Sequence, residues 1–353
     1  MAHTLSYLIV FLVAAAAAAL LAPLSIRLGY KLGIADRPGG RREHAGEIPR
    51  LGGIALFFPF VLALAVGLAL RIPTADPNEP RRLLGLVVGC TWMFLAGLAD
   101  DRWDLSPPMQ LAMHMSAGAI AIGALIFIER VNNPLTDRLV ILPPVVVIGL
   151  TMFWVVGMIN TVNWLDGLDG LAAGVGAILC IVLSIHMHRT GQHSVAILPL
   201  ALLGAAVGFL PYNFYPARVF MGSAGAFFLG YALACLGIIA GARVATVLLV
   251  MGVPIVDVAW QIVDRIRRRR SPGGGDRGHL HFRLFDRGLP QRVIVLAYWA
   301  FCGLFGLLAL AISSRLYKLI ALLALGGLVL AALIYLSSAS SGAQIEKRKT
   351  PKE

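Results

Sequence analysis

The stretch Asn160–Gly174, "NTVNWLDGLDGLAAG", sets two asparagines and two carboxylates between segments apolar enough to dissolve in lipid. A charged side chain inside a bilayer is costly and rare. If this part is helical, the three-residue spacing of Asp166 and Asp169 puts both on one face. The question is what surrounds that face.

Outward from the motif the chain is apolar in both directions. Of its 353 residues 58% are hydrophobic and only 14% are charged, whereas a soluble domain is about a quarter charged. The apolar residues fall in blocks of about 20, the length of a membrane-crossing helix. Eleven such blocks are expected: 5–26, 51–70, 83–99, 109–128, 139–158, 168–187, 195–211, 222–241, 243–262, 292–312 and 317–337. The fold class expected is all-α, a polytopic membrane protein with about 11 transmembrane helices in a single domain, 1–353. No internal repeat is visible. The first block follows no basic segment and exceeds a signal-peptide core, so it reads as a retained helix. Cys90, Cys180, Cys235 and Cys302 stand singly in apolar blocks and suit small buried hydrophobes.

The formal net charge is +12. In a membrane protein that excess belongs to cytoplasmic loops, and nucleic acid is not an expected partner. With the N-terminus outside, the segments 27–50, 100–108, 159–167, 212–221 and 263–291 share one side with the basic C-terminal tail 338–353. They hold most of the lysines and arginines, which makes that side and the C-terminus cytoplasmic.

Most acidic residues gather on the same side, which the charge rule does not require. Asp100, Asp101 and Asp104 close the third block in "LADDRWDLSP". Asn163, Asp166 and Asp169 open the sixth. Asp257 follows Pro254 in the ninth, and "DRGHLHFRL" brings Asp276, His279, His281 and Arg283. Clustered carboxylates repel unless a divalent cation or a cationic neighbour compensates. Mg²⁺ takes a few carboxylates, water and substrate phosphates. Histidine and arginine suit a phosphorylated ligand. Together they point to Mg²⁺-assisted phosphoryl transfer at the cytoplasmic membrane surface, where catalysis is mostly positioning and charge neutralisation.

Other features have plainer readings. "HMHR", 186–189, reads as a solvated turn in an outer loop, and His114 as a hydrogen-bonding residue inside the bundle. "GGG", 273–275, reads as a linker, and the arginine run before it as an orientation anchor.

Five ordered motifs resemble the polyprenyl-phosphate N-acetylhexosamine-1-phosphate transferases, relatives of the muramyl-pentapeptide transferases. They are "IADRPGGRREHAGEIPRLGG", "LADDRWDLSP", "NTVNWLDGLDGLAAG", "GFLPYNFYPARVFMG" and "PIVDVAWQIVDRIRRRRSPGGGDRGHLHFRL". The resemblance implies transfer of a HexNAc-1-phosphate, GlcNAc-1-phosphate first, from a UDP-sugar to polyprenyl (undecaprenyl) phosphate, with release of UMP. It implies a multi-pass protein of the cell membrane, a cytoplasmic active site, Mg²⁺ with Mn²⁺ able to replace it, and a homodimer as one expected state. By motif position Asp169 is a uracil contact and Asp166 lies beside the sugar or phosphates. Asn163, Asn213 and Phe220 match pocket positions, and His44 and Arg283 fall in substrate-binding segments. Asp100 and Asp101 match the pair assigned to metal and lipid phosphate. His279 and His281 match the histidine motif near the diphosphate.

Two departures stand out. The family pattern after "VFMG" is Asp-x-Gly-Ser, and its aspartate is a main Mg²⁺ ligand. Here Ser223 and Ala226 replace that Asp and Ser. The histidine motif ends in Phe282 instead of histidine. The alternatives are a member that binds UDP-sugar or polyprenyl phosphate without turnover, or a membrane transporter. Transporters usually place polar sites near the midplane, whereas these motifs lie at one interface.

Overall fold

The computed structural model describes residues 2–36, 46–74, 76–241, 244–269 and 278–349, with side chains from 3 to 336. It is a helical bundle. The helices are α1 (Ala2–Leu32), α2 (Ile54–Ala69), α3 (Glu79–Trp103), α4 (Pro107–Gly123), α5 (Pro144–Leu165), α6 (Leu171–Arg189), α7 (Ile197–Asn213), α8 (Gly222–Ile239), α9 (Val244–Val250), α10 (Gly252–Arg267), α11 (Leu280–Phe285), α12 (Gln291–Ala311) and α13 (Arg315–Lys349). Two short antiparallel ribbons interrupt them. β1 (Ala35–Asp36) pairs with β2 (Ile48–Pro49), and β3 (Arg130–Asn132) with β4 (Leu139–Ile141).

Among the described residues eight helices are long and apolar enough to cross a membrane, and a ninth crossing is available if α9 and α10 count as one broken span. The expected ninth block is thus two helices meeting at 83°. α2 has 16 residues and α4 has 17. At 1.5 Å per residue each is about 25 Å long, short of a hydrocarbon core of about 30 Å. The fifth block starts later than expected, because 139–141 belong to the β3–β4 ribbon.

α8 is the axis of the bundle, with every residue buried, and it packs against α2, α3, α5 and α6. Small residues allow this closeness, as in membrane bundles generally. A Cβ on Gly97 of α3 would collide with the backbone of Ser223 and Ala224, and one on Gly53 would stand 2.5 Å from the Gly225 nitrogen. Polar side chains fix the remaining contacts. Tyr231 donates to the Gly85 carbonyl at 3.0 Å, and the Trp154 indole donates to the Ala234 carbonyl at 3.1 Å. These contacts bring the C-terminal end of α3 to the N-terminal end of α8, where the motifs meet.

Candidate active site

Asp166 and Asp169 do not share a helix face. α5 ends at Leu165, with Asp166 as its C-cap, and α6 begins at Leu171 after a turn. The cause is local: Gly167 and Gly170 lower helix propensity, and Gly170 takes a left-handed φ of +80°, which glycine adopts without strain. The turn frees the two carboxylates to face different partners. Asp169 accepts the Ala217 N–H at 2.9 Å, which ties it to the α7–α8 loop. Among the described residues no hydrogen-bond donor reaches the carboxylate of half-buried Asp166. Burial pushes its carboxyl well above the usual carboxylate range. The charges of Asp101 and Asp169 push the same way, and the Arg50 guanidinium opposes them.

Asp101 is held otherwise. Its Oδ1 accepts the Ser223 N–H at 2.9 Å and its Oδ2 the Ala224 N–H at 3.0 Å. Arg50 stands 3.3 Å from Oδ1, and no part of the Asp101 side chain is exposed. These N–H groups belong to the first turn of α8, whose own N-cap residue supplies no side-chain bond. The carboxylate satisfies orphan donors and sits at the positive end of the helix dipole. Gly222 makes room: its φ is +69°, and a Cβ there would fall 2.7 Å from Asp101 Oδ2.

Asp100 is buried as well, at 7% exposure. Its Oδ1 accepts the Leu105 N–H at 3.1 Å and the Gln110 amide at 2.8 Å, closing the α3–α4 turn. Asn213 is buried and donates to the Val219 carbonyl at 3.0 Å, and the Phe220 N–H donates to the Pro49 carbonyl at 2.8 Å. Both shape the 212–221 loop. Asn163 is half-buried on the last turn of α5, beside Trp164.

The histidines form a second wall. His279 Nδ1 lies 3.0 Å from Asp257 Oδ2, and the other oxygen of Asp257 accepts the Leu280 N–H at 2.9 Å. The His281 ring stacks on His279 at 5.7 Å. Trp164 packs beside His279, and the Arg265 guanidinium lies over Trp164 at 5.5 Å. The wall touches the central motif, since a Cβ on Gly167 would lie 2.6 Å from His281 Nε2 and 2.7 Å from the Phe282 ring. Arg283 reaches back to the Gly278 carbonyl, which also accepts the Gln261 amide. His44, Asp276 and the 273–275 glycines lie outside the described residues.

The structure therefore gathers Asp101, Asp166, Asp169, His279 and His281 around the α5–α6 turn. It adds Arg50, Asp257, Trp164 and Arg265 as their partners. Sequence reasoning noticed Asp257 without assigning it a task, and it missed Arg50, whose only signal was its place in "IPRLGG". "HMHR" is no loop: it is the last turn of α6, where the His188 ring lies 5.1 Å from that of His193. His114 stays inside the bundle, with Nδ1 3.4 Å from the Asn160 amide nitrogen.

Comparison with known proteins now decides the family. Residues 83–241 match the model of glycosyl transferase family 4. A decaprenyl-phosphate N-acetylglucosaminephosphotransferase of Mycobacterium tuberculosis is 31% identical over 78% of this chain and 75% of its own.

The chain belongs to glycosyl transferase family 4.

Within this family it is also similar to a probable undecaprenyl-phosphate N-acetylglucosaminyl 1-phosphate transferase of Bacillus subtilis. Identity there is 28% over 87% of this chain and 85% of the relative. An undecaprenyl-phosphate alpha-N-acetylglucosaminyl 1-phosphate transferase of Escherichia coli is 25% identical over 75% and 73%.

Does a divalent cation fit this family member's residues? Among the described residues no three His, Cys, Asp or Glu side chains gather as a ready metal site. The Asp101 oxygens already serve backbone N–H groups and Arg50. Asp100 serves the α3–α4 turn, and Ser223 offers only a hydroxyl. Asp166 does fit, as the carboxyl of a half-buried residue with no donor on it, facing the charges of Asp101 and Asp169 as well as that of Arg50. One or two carboxylates plus substrate phosphates are the usual surroundings of Mg²⁺.

Proposed function

We propose that this chain transfers a HexNAc-1-phosphate, GlcNAc-1-phosphate first, from a UDP-sugar to polyprenyl (undecaprenyl) phosphate. This would be a first membrane step in building a cell-envelope polysaccharide. An oxygen of the lipid phosphate attacks the sugar-linked phosphorus, the bond to UMP breaks, and a lipid-linked diphosphate sugar forms. The observation that carries this reading is the meeting of widely separated motifs around the α5–α6 turn: Arg50 and Asp101 on one side, His281 against Gly167 on the other.

Most of these residues have a task in this reading. Asp169 and Asn213 hold the 212–221 loop in shape for the nucleotide. Asp257 accepts the Nδ1 proton of His279, so Nε2 is the nitrogen left for a diphosphate oxygen. His281, Arg283 and Arg50 add positive or donor groups, the kind that stabilise charge on a transferring phosphoryl group. Asp101 keeps the α8 N-terminus capped and Arg50 in place. Mg²⁺, or Mn²⁺ in its stead, would be held by Asp166 and would neutralise diphosphate charge.

The proposed topology has eleven crossings, with α2 and α4 as short spans and α9–α10 as a broken one. The N-terminus lies outside, the C-terminus in the cytoplasm, and the site on the cytoplasmic face. The single domain carries its catalytic loops at about 27–50, 100–108, 159–167, 212–221 and 263–291. The excess of lysine and arginine in those loops supports the orientation. A cysteine introduced at Ser106 should resist a membrane-impermeant thiol reagent in intact cells and react after permeabilisation. Labelling in intact cells would reverse the topology.

The activity is tested with radiolabelled UDP-GlcNAc and purified protein in detergent. UMP and a chloroform-soluble labelled lipid should form together, and only when undecaprenyl phosphate is added. Nucleotide binding with neither product would show a binding protein in which Ser223 has ended turnover.

A further inference from the structure

At the end of the bundle opposite the site, a cavity of about 720 Å³ opens between α2, α3, α7 and α8. α3 gives the separation: Glu79 lines the cavity and Asp101 lies 22 residues further on, about 33 Å along a helix. No candidate catalytic residue lines it. Its floor is apolar, with Leu64, Leu83, Val87 and Leu198. Its rim is polar and incompletely satisfied. Among the described residues the Oγ of Ser194, in a side chain 8% exposed, has no hydrogen-bond partner, and neither has the buried Oε1 of Gln192. Arg82 on the same rim is neutralised by Asp76 at 2.6 Å. Arg71 is exposed and forms no ion pair among the described residues.

Buried polar atoms are rarely left unpaired. An orphan hydroxyl and an orphan carbonyl above an apolar floor are complementary to an amphiphile. The ends of α2, α3, α7 and α8 around the rim put it at headgroup depth, and the floor runs down into the hydrocarbon. The volume is that of a ligand pocket, of order 300–1,000 Å³.

We propose that this cavity binds one glycerophospholipid of the bilayer. An acyl chain fills the floor. Its phosphate meets Arg71 and the Ser194 hydroxyl, and a donor on its headgroup meets Gln192 Oε1. The phosphate selects against an uncharged lipid with the same chains, because only a phosphate pairs with Arg71. The site is independent of the transferase reaction and stands or falls apart from it.

The test is native mass spectrometry of the full-length protein, delipidated in detergent and titrated with dioleoylphosphatidylglycerol or with dioleoylglycerol. Wild type should bind one phosphatidylglycerol and discriminate against dioleoylglycerol by about tenfold or more, as loss of a charged contact implies. Arg71→Glu should lower phosphatidylglycerol occupancy about tenfold by reversing the charge, whereas Arg71→Lys should retain most of it. Leu68→Trp, which fills the cavity from a position already 58% exposed, should exclude the chain. UMP release should stay at the wild-type level in all three variants. Equal phosphatidylglycerol occupancy in wild type, Arg71→Glu and Leu68→Trp overturns the proposal. So does equal uptake of dioleoylglycerol by wild type.

Discussion

Asp101 accepts the backbone N–H of Ser223 at 2.9 Å, so the last turn of α3 caps the first turn of α8. Asp166 lies in the same field, yet its carboxyl accepts no such bond among the described residues. The two acids should therefore respond differently to the same substitution.

Asp101→Asn loses a charge that two N–H groups and Arg50 depend on. Charge-assisted hydrogen bonds contribute about 1.5–3 kcal/mol each, so the melting temperature should fall by several degrees and activity with it. Asp166→Asn should abolish most UMP release, roughly a hundredfold or more for an electrostatic role, with the melting temperature unchanged or raised. Thermal melts and UMP assays of both proteins check this. Equal melting temperatures for both variants would show that Asp101 is not a structural cap.

Ser223→Asp adds a carboxylate beside Asp101, whose charge already acts on Asp166. Without divalent cation it should destabilise the protein, because like charges in a buried site cost free energy. Millimolar Mg²⁺ should restore the melting temperature in the variant and change wild type less. Melts in EDTA and in Mg²⁺ measure both. A variant indifferent to Mg²⁺ would remove position 223 from the cation's surroundings.

The raised carboxyl of Asp166 makes stability depend on pH. Its folded value lies above the ordinary 3.8, so the folded protein binds this proton more tightly than the unfolded chain. The stabilising effect is full below 3.8 and is lost as pH rises through the raised folded value. In EDTA, wild type should lose stability relative to Asp166→Asn as pH increases from 4 to 8. Parallel melting curves across that range would contradict the raised carboxyl that burial first, and the charges of Asp101 and Asp169 second, give Asp166.

Asp257→Asn keeps shape but no longer fixes His279 with an anionic acceptor. Loss of such an orienting partner typically costs about 10–100-fold. The loss should fall on kcat, with UMP affinity by calorimetry little changed. Asp257→Glu should recover part of the rate. An unchanged kcat would leave Asp257 only its cap on Leu280.

The membrane class was written in the sequence, because apolar blocks of about 20 residues have one stable state in lipid. With no water to serve backbone N–H and C=O groups, each block closes its hydrogen bonds within itself as a helix. The motifs were legible for a related reason: their residue types and order are local facts, and Asp100, Asp101, Asp166, Asp169, His279 and His281 could be named without coordinates. The sequence misread the helix break at Asp166–Gly170, where spacing suggested one face and two glycines supplied a turn. Only the tertiary structure decided which partner each carboxylate has. Asp101 meets an N–H 122 residues away, Asp169 one 48 residues away, and Asp257 a histidine 22 residues away. A carboxylate takes whatever donor the packing brings within about 3 Å. That packing is set by small residues such as Gly97 and Gly53, which let α3 and the start of α2 close on α8. Whether an acid caps a helix, orients a histidine or awaits a cation is therefore a property of the bundle and not of the motif.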